Sequence, residues 1–361
     1  MSEIGLRKEE LDTPALWVDL EKVERNIAHI AGELAAAGVG WRPHTKGIKT
    51  PALVHKLMQA GALGVTCAKL GEAEVMAAAG MRDILVANQV VGPQKAARLA
   101  AIQRHADVKA AVDSAANVAE IGAAAAAIGV EVGLLIEVDT GMHRAGVQPC
   151  EPVLTLARTI EATPGVRLRG VMTWEGHNLG FDDVEEKRRG IEASIGQLLD
   201  SAELCRSAGI PVEIVSAGGS GTYRVTAHIP GVTEVQAGGA IFCDQSYQAW
   251  GVDLEPALFL RARVTSRPAP DRIICDCGFK TATRGFPAPR PVDFEVASVA
   301  LSAEHGIITL PGPDERLAVG DTFDMVVGYG DATVYLHDML YGVRAGRVET
   351  VWPVAARGKL R

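Results

Sequence analysis

Between about residue 40 and residue 250 the chain alternates short β-branched runs with longer, alanine-rich amphipathic stretches. The runs predicted as strands are 40–46, 64–69, 83–89, 107–113, 131–139, 167–177, 213–218 and 234–244, and the stretches predicted as helices include 51–60, 71–79, 94–105, 114–128, 152–162 and 184–208. Eight strands, each followed by a helix or a helix-like turn, are typical of a (β/α)8 barrel. A doubly wound open sheet is the competing fold, but no Gly-x-Gly-x-x-Gly motif follows the first strand. The pattern therefore predicts an α/β protein built on a (β/α)8 barrel.

The character of the sequence changes after about residue 255. Alternating segments separated by Pro- and Gly-rich turns occur at 257–265, 272–277, 293–300, 306–310, 322–327, 333–337 and 347–354, with no long helical pattern among them. This predicts a C-terminal all-β domain over 255–361, following a barrel domain over 13–250. The strand-like segment 13–20 precedes the helical pattern 21–37 and is a candidate to pair with the β domain rather than with the barrel.

Composition excludes several classes of protein and partner. The net charge of −8 argues against nucleic acid or an anionic membrane as the main partner. We find no apolar run near the ~20 residues that span a bilayer, and no basic segment followed by an apolar one at the N-terminus. Six cysteines spread thinly over 361 residues do not form a disulfide framework, so we expect a reducing, cytoplasmic setting.

Two features that carry chemistry stand at predicted strand ends, where a (β/α)8 barrel places its functional groups. Lys46 ends the first strand, in a run that also contains Arg42, His44 and Lys49. A glycine-rich run, 216–223, follows the seventh strand, and the backbone N–H groups of such a turn bind phosphate. Pyridoxal phosphate requires both features, because its aldehyde forms a Schiff base with a lysine amine. The sequence therefore predicts a pyridoxal phosphate enzyme.

Further motifs make a resemblance to one family specific. The segments that carry it are 13–14, 42–46 with residue 49, 139–146, 175–177, 219–223, 276–280 and 304–306, which extend over most of the chain. On these segments the chain resembles D-threonine aldolases and eukaryotic-type D-serine dehydratases, which are fold-type III pyridoxal phosphate enzymes with an alanine racemase-like barrel. The resemblance implies the two domains predicted above. It also implies a homodimer, since enzymes of this fold type usually pair head to tail.

The resemblance assigns roles to individual residues. It implies that Lys46 is the Schiff-base lysine, that Arg144 contacts the cofactor ring, and that His177 is an acid or base near the substrate β-carbon. The residues implied to hold the cofactor phosphate are Gly219, Ser220, Gly221, Thr222, Gly239 and Ala240, and those implied to line the pocket are Tyr223 and Tyr247. A structural ion pair for Arg144 and a plain hydrogen-bonding role for His177 are the alternatives.

The chain departs from the family at the metal site. The resemblance implies a divalent ion (Mg²⁺, Mn²⁺ or Zn²⁺) bound by a His-x-Asp or His-x-Cys pair in the C-terminal domain. Here Asp331 stands at the second ligand position, but Tyr329 occupies the first. A protonated phenol binds these ions poorly. Two outcomes stay open: a metal bound by Asp331 with a substitute ligand such as His337 or Asp338, or no metal at this place.

The same departure bears on the reaction. Retro-aldol cleavage needs a base on the substrate β-hydroxyl, a role that suits His177, whereas β-elimination needs a Lewis acid on the leaving hydroxide. We therefore expect an aldolase that cleaves D-threonine-like D-3-hydroxy amino acids to glycine and an aldehyde. The alternatives are a D-serine or D-3-hydroxy-amino-acid dehydratase and an amino-acid racemase that uses Lys46 and Tyr329. A non-enzymatic pyridoxal phosphate carrier is the last alternative, although such a carrier would be expected as a lone barrel.

Overall fold

The computed structural model describes residues 3–361. Its strands are β1 (Ala15–Asp19), β2 (Gly40–Trp41), β3 (Val65–Cys67), β4 (Asp83–Gln89), β5 (Asp107–Val112), β6 (Val132–Glu137), β7 (Val166–Met172), β8 (Ile214–Ala217), β9 (Glu234–Val235), β10 (Leu258–Ala269), β11 (Arg272–Cys275), β12 (Arg290–Pro291), β13 (Ser298–Leu301), β14 (Gly306–Thr309), β15 (Thr322–Val326), β16 (Met339–Arg344) and β17 (Arg347–Pro353). Its helices are α1 (Leu20–Ala36), α2 (Pro51–Gln59), α3 (Leu70–Ala78), α4 (Pro93–Ile102), α5 (Ala115–Ala127), α6 (Glu151–Glu161), α7 (Val184–Ser207), α8 (Tyr223–Thr226), α9 (Gln245–Ala249), α10 (Phe279–Ala282) and α11 (Gly330–Thr333). Short 3-10 turns occupy Lys8–Glu10, Thr45–Gly47, Gly176–Gly180, Gly239–Ile241 and Val334–Leu336.

The chain divides into two compact units, and the first, which we call the barrel unit, consists of Ile30–Lys46, His55–Gly238 and Gly358–Arg361. Strands β2 to β9 form a parallel sheet in the order β2-β9-β8-β7-β6-β5-β4-β3. A parallel bridge between His44, just beyond β2, and Thr66 of β3 joins the two ends of that order. All six residues of β6 are buried, because helices cover the outer face of a barrel sheet while side chains fill the inner face. The predicted (β/α)8 barrel is therefore confirmed.

Local signals in the sequence set where the barrel helices begin. Asp183 precedes α7 and its carboxylate accepts the N–H of Glu186 at 2.7 Å. Ser114 caps α5 in the same way through the N–H of Asn117. Such caps satisfy backbone donors that a helix cannot satisfy itself. The predicted helices consequently agree with the observed ones to within a few residues.

The second unit, which we call the β unit, consists of the residues up to His29 together with Gly47–Val54 and Gly239–Arg357. Its mostly antiparallel sheet runs in the order β13-β14-β11-β10-β1-β16-β17, with β15 paired to β10 and β12 paired to β15. Strand β1 lies in the middle, antiparallel to β10 and parallel to β16. Trp17 of β1 stacks on Phe259 of β10 with ring centroids 4.5 Å apart. The strand nearest the N-terminus is thus part of this sheet.

Several sequence predictions were wrong in detail. The segment 333–337 is not a strand, because Gly330–Thr333 form a helical turn and Val334–Leu336 continue as a 3-10 turn. Strand β16 was missed, since Gly342 interrupts its apolar pattern and its β-branched content is low. Three predicted barrel strands, 40–46, 167–177 and 234–244, end early, because their last residues turn away from the sheet to form the loops described below.

Among residues 3–361, no helix has the length and apolar character required to cross a membrane.

Arg42 lies in a buried ion network near the N-terminal ends of the barrel strands. Its Nε donates to Glu234 at 2.9 Å and its Nη1 donates to Asp83 at 2.6 Å. Lys109 joins the network through Asp83 and Asp107, both at 2.8 Å. The Arg42 and Glu234 side chains are only 3% and 4% exposed. Arg42 is therefore a structural residue at the opposite end of the barrel from Lys46, not one of that lysine's neighbours.

Replacing Arg42 with Met is expected to lower the free energy of unfolding by about 3–5 kcal/mol, because the Glu234 carboxylate would stay buried without its main partner. Urea denaturation followed by circular dichroism measures the change. The matched control is Arg167→Met, whose ion pair with Glu131 is exposed on both sides and is expected to contribute about 0–1 kcal/mol. Equal effects of the two substitutions would contradict the structural role of Arg42.

Candidate active site

Four segments with polar side chains follow the C-terminal ends of barrel strands β2, β6, β7 and β8. Because the strands are parallel, these ends meet at one face of the barrel, which is where enzymes of this architecture carry their active sites. The segments contain Lys46, Arg144, His177 and the glycine turn 218–222. The barrel unit therefore brings together the lysine, the arginine, the histidine and the phosphate turn that the sequence predicted.

Lys46 lies in the 3-10 turn that follows β2, and its side chain is exposed. The turn is fixed from both sides: Thr45 donates its hydroxyl to the carbonyl of Thr66 at 3.0 Å, and the N–H of His44 donates to the carbonyl of Gln236 at 3.1 Å. Gly238 makes this close approach possible, because a Cβ there would lie 2.1 Å from the His44 carbonyl oxygen. The backbone is thus fixed while the lysine amine stays accessible, as a covalent cofactor link requires.

The glycine turn after β8 is built around the buried carboxylate of Glu175. Glu175 accepts hydrogen bonds from the hydroxyls of Thr222 and Thr226, both at 2.7 Å, and from the N–H of Gly218 at 3.2 Å. Gly218 has a φ of +74°, a conformation that favours glycine. Gly219 lies so close to Trp174 that a Cβ would come within 2.4 Å of the indole. One carboxylate therefore fixes the shape of the whole turn.

This arrangement changes the role of Thr222. Its hydroxyl donates to Glu175 and accepts the N–H of Gly219 at 3.0 Å, so it holds the turn together. The N–H of Tyr223 also bonds within the turn, to the carbonyl of Gly219 at 2.9 Å. Ser220 and Gly221 lie in the sequence between the residues that make these bonds. They remain predicted phosphate-binding residues.

Tyr223 differs from its predicted role in the pocket. Its phenol lies beside Glu33 of α1, and the Arg224 guanidinium lies 5.8 Å from the centre of its ring. Burial first, and then the neighbouring Glu33 carboxylate, raise the pKa of the phenol above its ordinary value. A side chain directed at α1 belongs to the helical layer outside the strands. The prediction that Tyr223 lines the pocket is therefore not supported.

Arg144 is held by an acidic side chain at the end of β6. Its Nη2 lies 3.3 Å from Oε1 of Glu137, a buried carboxylate that also accepts the Gln89 side-chain amide at 2.6 Å. The Arg144 side chain is 54% exposed, so the ion pair leaves much of the guanidinium accessible. Asp139 shapes the loop that leads to it by accepting the N–H groups of Gly141 and His143. Burial opposes ionisation of Asp139, but these N–H donors outweigh it and lower its pKa.

His177 lies in the 3-10 turn after β7 and is exposed. Its Nε2 is 3.4 Å from the hydroxyl of Ser194, which itself donates to the carbonyl of Gly190 at 2.9 Å. The imidazole lies against Gly141, where a Cβ would come within 2.9 Å of Nε2. A histidine placed this way has its ring orientation set by Ser194 and Gly141. It can still exchange a proton with a molecule at this face of the barrel.

The β unit contains the other predicted site residues. The phenols of Tyr247 and Tyr329 donate to the two oxygens of Asp331, at 3.2 and 3.1 Å respectively. Gly239 lies beneath Tyr247, because a Cβ there would be 2.0 Å from the phenol oxygen. At Gly47, the residue after Lys46, an added Cβ would lie 2.1 Å from Oδ1 of Asp331, so this glycine also packs closely against its neighbour. Gly239 and Ala240 themselves form a 3-10 turn and not a strand.

Asp244 organises this cluster from behind. It is fully buried and accepts the N–H of Gly330 at 2.6 Å and the N–H of Tyr247 at 3.1 Å, so it ties α9 to α11. Burial raises the pKa of Asp244 to about 7, although both backbone donors act in the other direction. Burial and the adjacent Asp331 carboxylate raise the pKa of Tyr329 as well, so its phenol is protonated at neutral pH.

The residues present do not fit the divalent ion that the resemblance implies. A metal ligand at position 329 would have to be a phenolate, and the surroundings of Tyr329 favour the neutral phenol. The proposed substitute, His337, donates its Nε2–H to the carbonyl of Thr281, 2.9 Å away. In the portion of the chain that the structure describes, no group of three His, Cys, Asp or Glu side chains is arranged to bind a metal.

The residues do fit pyridoxal phosphate. One end of the barrel carries an exposed lysine, an arginine that is paired with a carboxylate, and a glycine turn whose shape is fixed by hydrogen bonds. Sequence reasoning assigned no role to Glu175 and Glu137, which hold the glycine turn and Arg144, or to Asp244, which holds Gly330 and Tyr247 in the β unit. The detectable signal was an acidic residue at the end of an otherwise apolar strand or immediately before a turn, since a buried carboxylate needs several donors.

A barrel of this kind with a separate β sheet is the architecture of alanine racemase-like enzymes, and comparison with known proteins makes the class specific. Residues 18–246 match the model of the alanine racemase N-terminal domain, and residues 257–343 match that of a serine dehydratase domain. A 3-hydroxy-D-aspartate aldolase of Paracoccus denitrificans is 35% identical over 369 residues, which covers 98% of this chain and 94% of the relative.

Solved structures agree with these matches. A D-threonine aldolase from Filomicrobium marinum has a TM-score of 0.97 at 30% identity, over 100% of both chains. A D-threo-3-hydroxyaspartate dehydratase from Delftia sp. HT23 has a TM-score of 0.87 at 30% identity, over 96% of this chain and 98% of the other. The chain therefore belongs to the alanine racemase N-terminal domain family, and it is a lyase within this pyridoxal-phosphate-dependent family.

Replacing Glu175 with Gln is expected to weaken the binding of pyridoxal phosphate about tenfold or more. The reason is that an amide cannot accept hydrogen bonds from all three donors. A lost hydrogen bond to a charged group costs about 1.5–3 kcal/mol, which corresponds to a factor of about ten or more in the dissociation constant. Titration of the apoprotein with pyridoxal phosphate, followed by absorbance, gives the dissociation constant. Glu161→Gln is the matched control, because Glu161 accepts one backbone N–H, that of Leu168, near the other end of a strand. An unchanged constant for Glu175→Gln would contradict the role assigned to that carboxylate.

Proposed function

We propose that the chain is a pyridoxal-phosphate-dependent aldolase that cleaves D-3-hydroxy amino acids, such as D-threonine, to glycine and an aldehyde. The observation that carries the proposal is that Lys46, Arg144, His177 and the turn at Glu175 meet at one end of the barrel. Support comes also from two relatives that match nearly the whole chain and are named as aldolases of D-threonine and 3-hydroxy-D-aspartate. The particular D-amino acid follows from neither observation, so D-threonine is our starting choice.

We propose that residues of the barrel unit hold the cofactor. Lys46 would bind its aldehyde carbon, Ser220 and Gly221 would bind its phosphate, and Arg144 would contact the ring oxygen. When bound, pyridoxal phosphate accepts electrons from a bond that breaks at the substrate α-carbon. Glu137 holds the Arg144 guanidinium in place while about half of the arginine side chain remains exposed. These residues bind and orient the cofactor, while the acids and bases around it select the bond that breaks.

His177 is the residue suited to start aldol cleavage. Its imidazole would take the proton from the substrate β-hydroxyl, and the oxygen would then form a carbonyl as the Cα–Cβ bond breaks. The electron pair of that bond remains with the α-carbon of the glycine fragment, which later receives a proton. Ser194 and Gly141 fix the plane of the imidazole, so that proton transfer does not require the ring to reorient.

A dehydratase is the second candidate, since one structural relative is a dehydratase. Elimination requires hydroxide to leave from the β-carbon, and this needs a proton or a Lewis acid on the oxygen. The donor set at Tyr329 and Asp331 does not suit a divalent ion, which favours cleavage over elimination. A racemase would need Tyr329 to donate and regain the α-proton. Its phenol donates to Asp331 and has a raised pKa, so the phenolate that would have to take the α-proton is scarcely populated at neutral pH.

Replacing His177 with Ala is expected to lower kcat for cleavage of D-threonine by about 10²–10⁴-fold, the usual contribution of a general base. Glycine and acetaldehyde are the measured products. His105→Ala is the control, since His105 is exposed in the turn before β5, near the N-terminal ends of the strands. A small change in kcat for His177→Ala would assign the base to another residue.

Replacing Lys46 with Arg tests the cofactor link itself. Borohydride reduction of the wild-type holoenzyme is expected to leave a pyridoxyl group on the peptide that contains Lys46, as detected by mass spectrometry. The Lys46→Arg variant should carry none, because a guanidinium does not form the link at neutral pH. Labelling of Lys49 instead, in the wild type, would overturn the assignment of Lys46.

Assembly and location remain predictions from the sequence. A homodimer follows from the resemblance alone, and sedimentation analysis of the holoenzyme would test it. The cytoplasmic setting stays a prediction from the six thinly spread cysteines.

A further inference from the structure

We infer that Tyr247, Tyr329 and Asp331 form a phenol–carboxylate cluster that replaces the metal-binding pair of the family, and that this chain needs no divalent cation. The part of the inference that concerns activity rests on the proposed aldol cleavage. The part that concerns binding stands on the β unit alone.

Both oxygens of the Asp331 carboxylate are engaged by phenols. Tyr329 donates to Oδ2 at 3.1 Å and Tyr247 donates to Oδ1 at 3.2 Å. A cation bound to Asp331 would have to displace at least one of these hydrogen bonds. It would gain in return one carboxylate and neutral phenol oxygens, whereas Mn²⁺ and Zn²⁺ sites are built from imidazole, carboxylate or thiolate. The carboxylate is thus already satisfied by hydrogen bonds in the protein.

Tyr329 is also fixed by packing. Its ring lies 4.6 Å from Phe286, 5.7 Å from Trp250 and 6.0 Å from Tyr247, measured between ring centroids. Contacts of this kind stabilise aromatic side chains in tilted and edge-on arrangements. The phenol is therefore held at Asp331 by three rings. Moving it aside to admit a cation and its water ligands would break this packing.

Other residues of the β unit do not supply the missing ligands. His337, the nearest candidate along the chain, bonds through Nε2 to the carbonyl of Thr281 at 2.9 Å. Asp244 is fully buried and accepts the N–H groups of Gly330 and Tyr247, so its oxygens face backbone donors. Over residues 3–361 there is no cluster of three His, Cys, Asp or Glu side chains with metal-binding geometry.

The chemistry of cleavage is compatible with this arrangement. A retro-aldol step needs only removal of the hydroxyl proton, and His177 can accept it without a Lewis acid. Loss of hydroxide, in contrast, depends on an electrophile at the oxygen. Replacement of the metal site by phenols should therefore preserve cleavage and suppress elimination.

The binding test uses the holoenzyme, treated with EDTA, exchanged into metal-free buffer and dialysed against Mn²⁺. Bound ion is counted by electron paramagnetic resonance and elemental analysis. The wild type is expected to bind no stoichiometric Mn²⁺, whereas Tyr329→His restores a His-x-Asp pair and should bind about one ion per chain with a broadened Mn²⁺ signal. Tyr329→Phe is the matched control and should bind none. Circular dichroism and the cofactor absorbance show whether each variant is folded.

One Mn²⁺ bound tightly by the wild type and lost in Asp331→Asn would overturn the inference. This outcome needs only the wild type to be folded, so it does not depend on the histidine variant.

The activity test measures glycine and acetaldehyde from D-threonine, with EDTA and with added Mn²⁺. Rates that agree within about twofold support metal-free cleavage, and loss of activity in EDTA with recovery in Mn²⁺ overturns it. If no D-3-hydroxy amino acid is cleaved in either buffer, the proposed function fails. The dialysis result then still decides whether the phenol–carboxylate cluster excludes the ion.

Discussion

The buried carboxylate of Glu175 connects the elements on which the candidate site depends. It stands just after β7, immediately before the turn that carries His177, and it accepts two donors from the glycine turn after β8 and one from Thr226 of α8. A buried charge is costly unless it is fully hydrogen-bonded, so the donors and the acceptor stabilise one another only in this arrangement. Glu175 thus fixes the shape of the predicted phosphate-binding turn, and it is also the residue from which the turn that carries His177 begins.

Carboxylates play the same part elsewhere in the two units. Glu137 holds Arg144 in the barrel unit, and Asp244 holds Tyr247 and the turn before Asp331 in the β unit. Each is buried and each collects donors from segments that are distant in sequence. Groups that act on a substrate must be held in one orientation, and hydrogen-bonded carboxylates achieve this at low conformational cost. His177 lies in the turn that follows Glu175 directly after β7, whereas the turn that carries Lys46 is held by the bonds of Thr45 and His44.

The sequence predicted the barrel and most helix boundaries, because these depend on local signals. The site roles of Lys46, His177 and the glycine turn remain predictions, and that of His177 comes from the family resemblance. Periodic apolar runs predict strands and helices, and glycine-rich turns predict phosphate binding. It failed where tertiary contacts overrode local pattern. Residues 333–337 look like a strand by alternation, yet they follow a turn held by Asp244 through Gly330. Tyr223 looks like a pocket residue by its place in the motif, yet it packs toward α1.

What the sequence determined by itself was the order of the elements and the types of side chain at their ends, since both follow from local periodicity and from the chemistry of single residues. What only the tertiary structure decided was which groups become partners. Glu175 pairs with Thr222 and Thr226, which lie 47 and 51 positions away in the sequence. Asp331 pairs with Tyr247, 84 positions away, and also with nearby Tyr329, so that two aromatic rings meet at one carboxylate. Such pairs depend on the packing of strands and turns, which no local pattern records. The sequence shows that Tyr329 stands where the family has a histidine, but it does not show that the Tyr329 phenol donates a hydrogen bond to Asp331.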